Sequence, residues 1–141
     1  MFLGEYTHTI DDKGRLTIPA KYRALLAAGL VVTRGFDQNL MLFPMIGWEE
    51  LAAKIAERPL SDESVRDFRR RVFSGAVDLE PDRQGRILVP PYLRDFAGIN
   101  GEVVITGMFN YLEIWAVDAW QNVRQSIENN DDAARWEDLG I

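Results

Sequence analysis

Asp11-Asp12-Lys13-Gly14-Arg15-Leu16-Thr17-Ile18-Pro19 recurs 71 residues later as Asp82-Arg83-Gln84-Gly85-Arg86-Ile87-Leu88-Val89-Pro90. Asp, Gly, Arg and Pro stay in place, and apolar replaces apolar at Leu16/Ile87 and Ile18/Val89. Arg23 and Arg94 coincide as well. At an offset of 72 the match resumes, with Val31, Val32, Gly35, Leu40, Trp48 and Ile55 facing Val103, Val104, Gly107, Leu112, Trp120 and Ile127. The second copy therefore carries one extra residue between Asp95 and Val103. Two copies in 141 residues imply two similar units related by a pseudo-twofold, each too thin to stand alone and so fused into one core. A surface site built on Asp-x-x-x-Arg is then presented twice, which points to a repetitive ligand before it points to catalysis.

Each copy reads strand, turn, strand, short helix, strand, turn, strand, helix. Tyr6 to Ile10 and Arg15 to Ile18 flank the first acidic turn, where Gly14 can take positive φ. Pro19, and Pro90-Pro91 in the second copy, open short helices that Gly29 stops in the first. Trp48, Leu51, Ala52 and Ile55 have the spacing of a helix with one buried face, and Trp120, Val123 and Ile127 repeat it. Asp118 and Gln121 resemble a capping box at the start of that last helix.

Between the copies lies a segment with no counterpart, Pro59 to Phe73. Ser61 is placed to cap it, Asp62 and Glu63 lie in its first turn, Arg69-Arg70-Arg71 gather in its last, and Val65, Phe68 and Val72 form an apolar stripe. This is a connector helix that docks on the rest. The chain thus divides into a first repeat over 5–57, the connector over 58–75, a second repeat over 76–128 and an acidic tail over 129–141 that lacks apolar period and is expected to fray.

A net charge of −6 looks wrong for a nucleic-acid binder until the charges are located. Residues 99–141 hold eight acids against Arg124 and Arg135, while residues 1–98 balance 14 acids with 14 bases. Local field, and not the total, governs a site. There is no cysteine, hence no disulfide framework or thiolate metal site, and no apolar run approaches the roughly 18 residues of a membrane span. These features fit a cytoplasmic protein.

The arginine that follows each turn glycine has two readings. It can be structural, pairing with Asp11 or Asp82 or lying over the sheet, as surface arginines commonly do. It can also be a reader, because the planar guanidinium matches O6 and N7 of guanine in the major groove and a nearby carboxylate can hold it in place. Repetition favours the second, since a turn needs its glycine but not the same arginine after it in both copies. Lys13, Lys21, Arg23, Arg83 and Arg94 would then supply phosphate contacts that fix register. The basic run at 69–71 is better read as completing its helix. No nucleophile elbow, phosphate loop or dinucleotide fingerprint occurs, His8 stands alone on a strand, and neither Asp11-Asp12 nor Asp131-Asp132 has the ligand spacing of a calcium loop. Neither an enzyme nor a cofactor, metal or small-molecule substrate is expected.

Taken together, Phe2-Leu3-Gly4-Glu5-Tyr6, the first Asp11-Asp12-Lys13-Gly14-Arg15-Leu16 with Ile18-Pro19, the segment Phe73-Ser74-Gly75-Ala76 and the second Asp82-x-x-Gly85-Arg86-Ile87 with Pro90 resemble the MraZ family, within the AbrB-like class of swapped-hairpin DNA-binding folds. The resemblance covers nearly the whole chain. It implies a nucleoid-associated transcriptional regulator that binds repeated double-stranded DNA motifs upstream of the division and cell-wall gene cluster and assembles into ring-like homo-oligomers. It also marks Asp11 with Arg15 and Asp82 with Arg86 as signature residues. The expected fold is α+β, two pseudo-symmetric copies interlocked as a swapped-hairpin β-barrel with helices outside. A ring-forming structural module whose arginines make subunit salt bridges is the competing expectation, and an antitoxin-like partner with a protein-binding tail is a third.

Overall fold

A computed structural model describes residues 1–141. Eight strands, β1 (Glu5–Ile10), β2 (Arg15–Thr17), β3 (Leu30–Arg34), β4 (Leu40–Pro44), β5 (Val77–Leu79), β6 (Arg86–Leu88), β7 (Gly101–Gly107) and β8 (Leu112–Ala116), form one antiparallel sheet in the order β5-β3-β4-β8-β7-β1-β2-β6. Its outermost strands, β5 and β6, are consecutive in the chain and joined through the second acidic turn, where the Asp82 N–H donates to the Arg86 carbonyl at 2.9 Å. The sheet is thereby a nearly closed barrel with few free edges.

Interlocking of the repeats is visible in the pairing. β1 of the first repeat runs beside β7 of the second, with Tyr6 opposite Ile105, and β5 of the second runs beside β3 of the first, with Val77 opposite Val32. The pseudo-twofold crosses the sheet between Leu16 and Ile87, where β2 meets β6, and between Met41 and Glu113, where β4 meets β8. Neither repeat can close its own hairpins into a barrel alone, so the core is common property. It draws Leu16, Ile18 and Tyr22 from one copy and their equivalents Ile87, Val89 and Leu93 from the other, all at most 2% exposed.

Short helices follow the repeated prolines Pro19 and Pro90: a 3₁₀ turn Ala20–Tyr22 running into α1 (Arg23–Leu26), and α4 (Pro91–Ala97), stopped by Gly98 in the left-handed region. α2 (Met45–Ala56) and α5 (Val117–Asn129) close the repeats. The connector is α3 (Glu63–Phe68), whose last turn widens to π geometry over Arg69–Phe73 and ends with Ser74 N–H on the Arg69 carbonyl. Its stripe docks as expected: Val72 joins Met41 and Phe43 in a second small core, lined by Trp48, Leu51, Phe68, Phe73 and Tyr111.

Three local expectations change. Asp62, not Ser61, caps the connector, accepting from Ser64 N–H at 2.9 Å. The capping box at Asp118 does not form, because α5 starts directly from β8 at Val117 and its N-cap, Ala116, has no side-chain acceptor. Beyond α5 the tail makes one more short helix, α6 (Ala133–Glu137), capped by Asp132. That helix is exposed throughout, and neither Trp136 nor Leu139 joins either core.

Candidate nucleic-acid interface

Both acidic turns fold by the same local logic. Asp11 Oδ1 accepts the backbone N–H of Lys13 at 3.0 Å and of Arg15 at 2.8 Å, while Gly14, at φ 87°, donates to the Asp11 carbonyl at 3.0 Å. Asp82 Oδ1 takes the N–H groups of Gln84 and Arg86, each at 2.9 Å, and Gly85 sits at φ 75°. The second carboxylate oxygen is left for the arginine. Arg15 Nε donates to Asp11 Oδ2 at 2.6 Å and Arg86 Nε to Asp82 Oδ2 at 2.9 Å. Arg15 N–H first, and its side chain after it, hold the Asp11 carboxyl below the usual carboxylate range, and Arg86 does the same for Asp82.

Fixing each guanidinium by Nε leaves its two terminal Nη groups without a protein partner. They face solvent from half-exposed side chains. Leu16 and Ile87 point into the core, so the strand alternation turns Arg15 and Thr17 of β2 and Arg86 and Leu88 of β6 to the outer face. Arg15 lies opposite Leu88 and Arg86 opposite Thr17. The two arginines thus occupy a diagonal of a two-stranded ribbon, their Cα atoms about 8–9 Å apart from strand spacing and rise. Thr17 and Leu88 share this face without having been singled out in the sequence; the period-2 alternation around the two buried residues is the signal that places them there.

The flanking basic residues divide into two groups. Lys13 and Arg83 are exposed on the turns themselves. Lys21 stands over the rings of Tyr6 and Tyr22 at 5.8 and 5.7 Å, beside a Tyr22 hydroxyl that burial, reinforced by Tyr6, pushes up to about 12. Arg23 and Arg94 are more constrained: their Nε atoms donate to the Ile18 and Val89 carbonyls at 3.3 and 3.0 Å. Two of the connector arginines are occupied elsewhere. Arg70 pairs with Asp67 at 2.9 Å, and Arg71 donates to the Gly35 carbonyl at 2.8 Å while lying over Phe96. No group of three or more histidine, cysteine or acidic side chains is arranged to hold a metal ion. No helix is long and apolar enough to cross a membrane.

A family profile described as "MraZ protein, putative antitoxin-like" matches residues 1–71 and again 72–139, so that each match contains one acidic turn. The chain belongs to the MraZ family. Among its relatives, a protein of Herpetosiphon aurantiacus is 58% identical over 126 residues, covering 89% of this chain and 88% of the relative. One from Roseiflexus sp. is 52% identical over 130 residues, covering 92% and 91%, and one from Halothermothrix orenii is 44% identical over the full length of both chains. All three carry the name "Transcriptional regulator MraZ". Each matched segment contains one of the two acidic turns that carry the paired guanidiniums.

Proposed function

We propose that this protein is a sequence-specific, DNA-binding transcriptional regulator without catalytic activity, acting in the cytoplasm on nucleoid DNA. One observation carries the reading: Arg15 and Arg86 stand diagonally on an outward ribbon, each tethered through Nε by its own aspartate with both Nη groups free. An end-on pair of Nη donors is the arrangement that addresses guanine O6 and N7, and a two-stranded ribbon is narrow enough for a major groove about 12 Å wide. Asp11 and Asp82 orient the readers. Lys13, Lys21, Arg23, Arg83 and Arg94 surround them as phosphate contacts that set register without reading sequence. The names of the MraZ relatives support regulation of transcription.

Repeated promoter motifs are the ligand this duplicated site suits, and promoters upstream of a division and cell-wall gene cluster are the targets the family resemblance suggests. Self-association into a ring would align several ribbons on such repeats. Support for it lies in a shallow apolar surface formed by Met1, Leu25, Ile46 and Phe109, which are 71, 46, 72 and 65% exposed. Selection of bound duplexes from a random pool, followed by sequencing, tests the reading. Enrichment of a repeated motif is expected; an unenriched pool after several rounds would favour the ring-forming structural module instead.

A further inference from the structure

The turn of each repeat rests on an arginine of the other. A Cβ built on Gly85 would lie 2.4 Å from Arg23 Nε and 2.8 Å from its Cζ, and one on Gly14 would lie 2.9 Å from Arg94 Nε and 3.0 Å from its Cζ. The backbone makes the same crossing. Ile18 N–H donates to the Gly85 carbonyl and Val89 N–H to the Gly14 carbonyl, both at 2.8 Å. The carbonyls of those same two residues accept Arg23 Nε and Arg94 Nε. Gly85–Ile18–Arg23 and Gly14–Val89–Arg94 are therefore two clamps, each spanning the boundary between the repeats.

Resting on the DNA-binding reading above, we propose that Arg23 is the positioning residue for Arg86, and Arg94 for Arg15, so that each base-reading unit is a composite of both repeats. The physical chain is short. A glycine at positive φ has no side chain to lock it, and the planar guanidinium against its Cα does so from outside. Asp82 hangs on that turn, since it accepts the N–H groups of Gln84 and Arg86, and it in turn holds Arg86 Nε. Displacing Gly85 moves the tether and the reader together. Lysine at position 23 would keep a charge for phosphate but has no planar face and no equivalent of Nε.

Double-mutant cycles of affinity for the selected duplex separate this from a role confined to phosphate contact. Once Arg86 is replaced by Ala, Arg23→Ala should cost less than half the fold-change it costs in the parent, and Arg94→Ala should behave likewise once Arg15 is gone. The same-repeat pairs, Arg23 with Arg15 and Arg94 with Arg86, should multiply independently within about twofold. Arg23→Lys should fail to restore affinity. A readout free of DNA accompanies these: Arg23→Lys should shift or broaden the Arg86 side-chain Nε–H resonance and leave that of Arg15 in place, which also covers an Arg23→Ala that folds poorly. Coupling within repeats, independence of all four pairs, full rescue by lysine, or an unmoved Arg86 resonance would each overturn the proposal. Unchanged affinity in both Arg15→Ala and Arg86→Ala would instead remove the DNA-binding reading and this inference with it.

Discussion

Arg23 lies against the Cα of Gly85, near enough that any side chain there would strike its guanidinium. The pseudo-equivalent Gly14 meets a harder neighbour, the Val89 carbonyl, 2.7 Å from a built Cβ. A side chain can swing away and a backbone carbonyl in the barrel cannot. Gly14→Ala should therefore destabilise more than Gly85→Ala. Both should exceed Gly98→Ala, which has φ 63° but open space around it and costs about 1–2 kcal/mol for its conformation alone. Urea melts of the three variants give the order, and a Gly98→Ala at least as damaging as Gly14→Ala would contradict it.

Replacing Arg15 or Arg86 by Ala removes a half-exposed ion pair and nothing from either core. The melting midpoint should move by no more than a few degrees, because exposed pairs contribute little. Discrimination against a changed guanine should fall by about 1–3 kcal/mol at one base position for each arginine. Calorimetry alongside gel-shift titration against single-base variants checks both halves.

How far the sequence carried these conclusions varies along the chain. The duplication, the turn residues and the strands were legible because glycine, proline and strict alternation leave few local alternatives. The crossing of the repeats follows from strand pairing between residues about 45 to 100 positions apart, which no local pattern encodes; hence Arg23 and Arg94 read only as basic residues near a turn. A helix start is not legible where tertiary context replaces a cap: α5 continues straight from β8 and needs no help from Asp118. Five residues of polar sequence, Glu128 to Asp132, concealed the exposed turn of α6, whose cap is entirely local.

Asp11→Asn keeps an oxygen for the two backbone N–H groups but puts no acceptor opposite Arg15 Nε. The turn should survive while affinity for the selected duplex falls severalfold. Lowering the pH of the parent should mimic this only in strong acid. The folded Asp11 and Asp82 carboxyls titrate below their ordinary value, so their contribution is complete above about pH 4 and is lost as pH falls through the lowered folded value. Loss of motif preference already at pH 6, with the fold intact, would show that another group controls the readers.

Glu113 has the opposite sign. Burial raises its carboxyl above the ordinary range, the hydrogen bond from Trp115 Nε1 offsetting this only in part. The folded state therefore binds this proton more tightly than the unfolded chain, and the Glu113 contribution to stability grows as pH falls through the raised value toward about pH 4.3. Glu113→Gln should raise the melting midpoint at pH 7.5 and flatten this part of the pH profile. A lower midpoint at pH 7.5 would mean that the charged form is the stabilising one.

Removing residues 130–141 takes away four acids and one arginine and no core residue. The melt should stay in place, while non-specific affinity for DNA at low salt rises as the repulsive charge goes. A large drop in the melting midpoint would show that the tail docks on the barrel.

The central claim is that two tethered arginines, not bulk charge, select the DNA. It is tested most directly by salt-controlled titration of the parent and of Arg15→Ala/Arg86→Ala against the selected tandem duplex and a scrambled duplex of equal length and composition. The parent should prefer the tandem duplex by about 10³-fold or more, and the double variant, with an unchanged circular dichroism spectrum, should bind both duplexes equally and weakly. A folded double variant that keeps the preference would contradict the account.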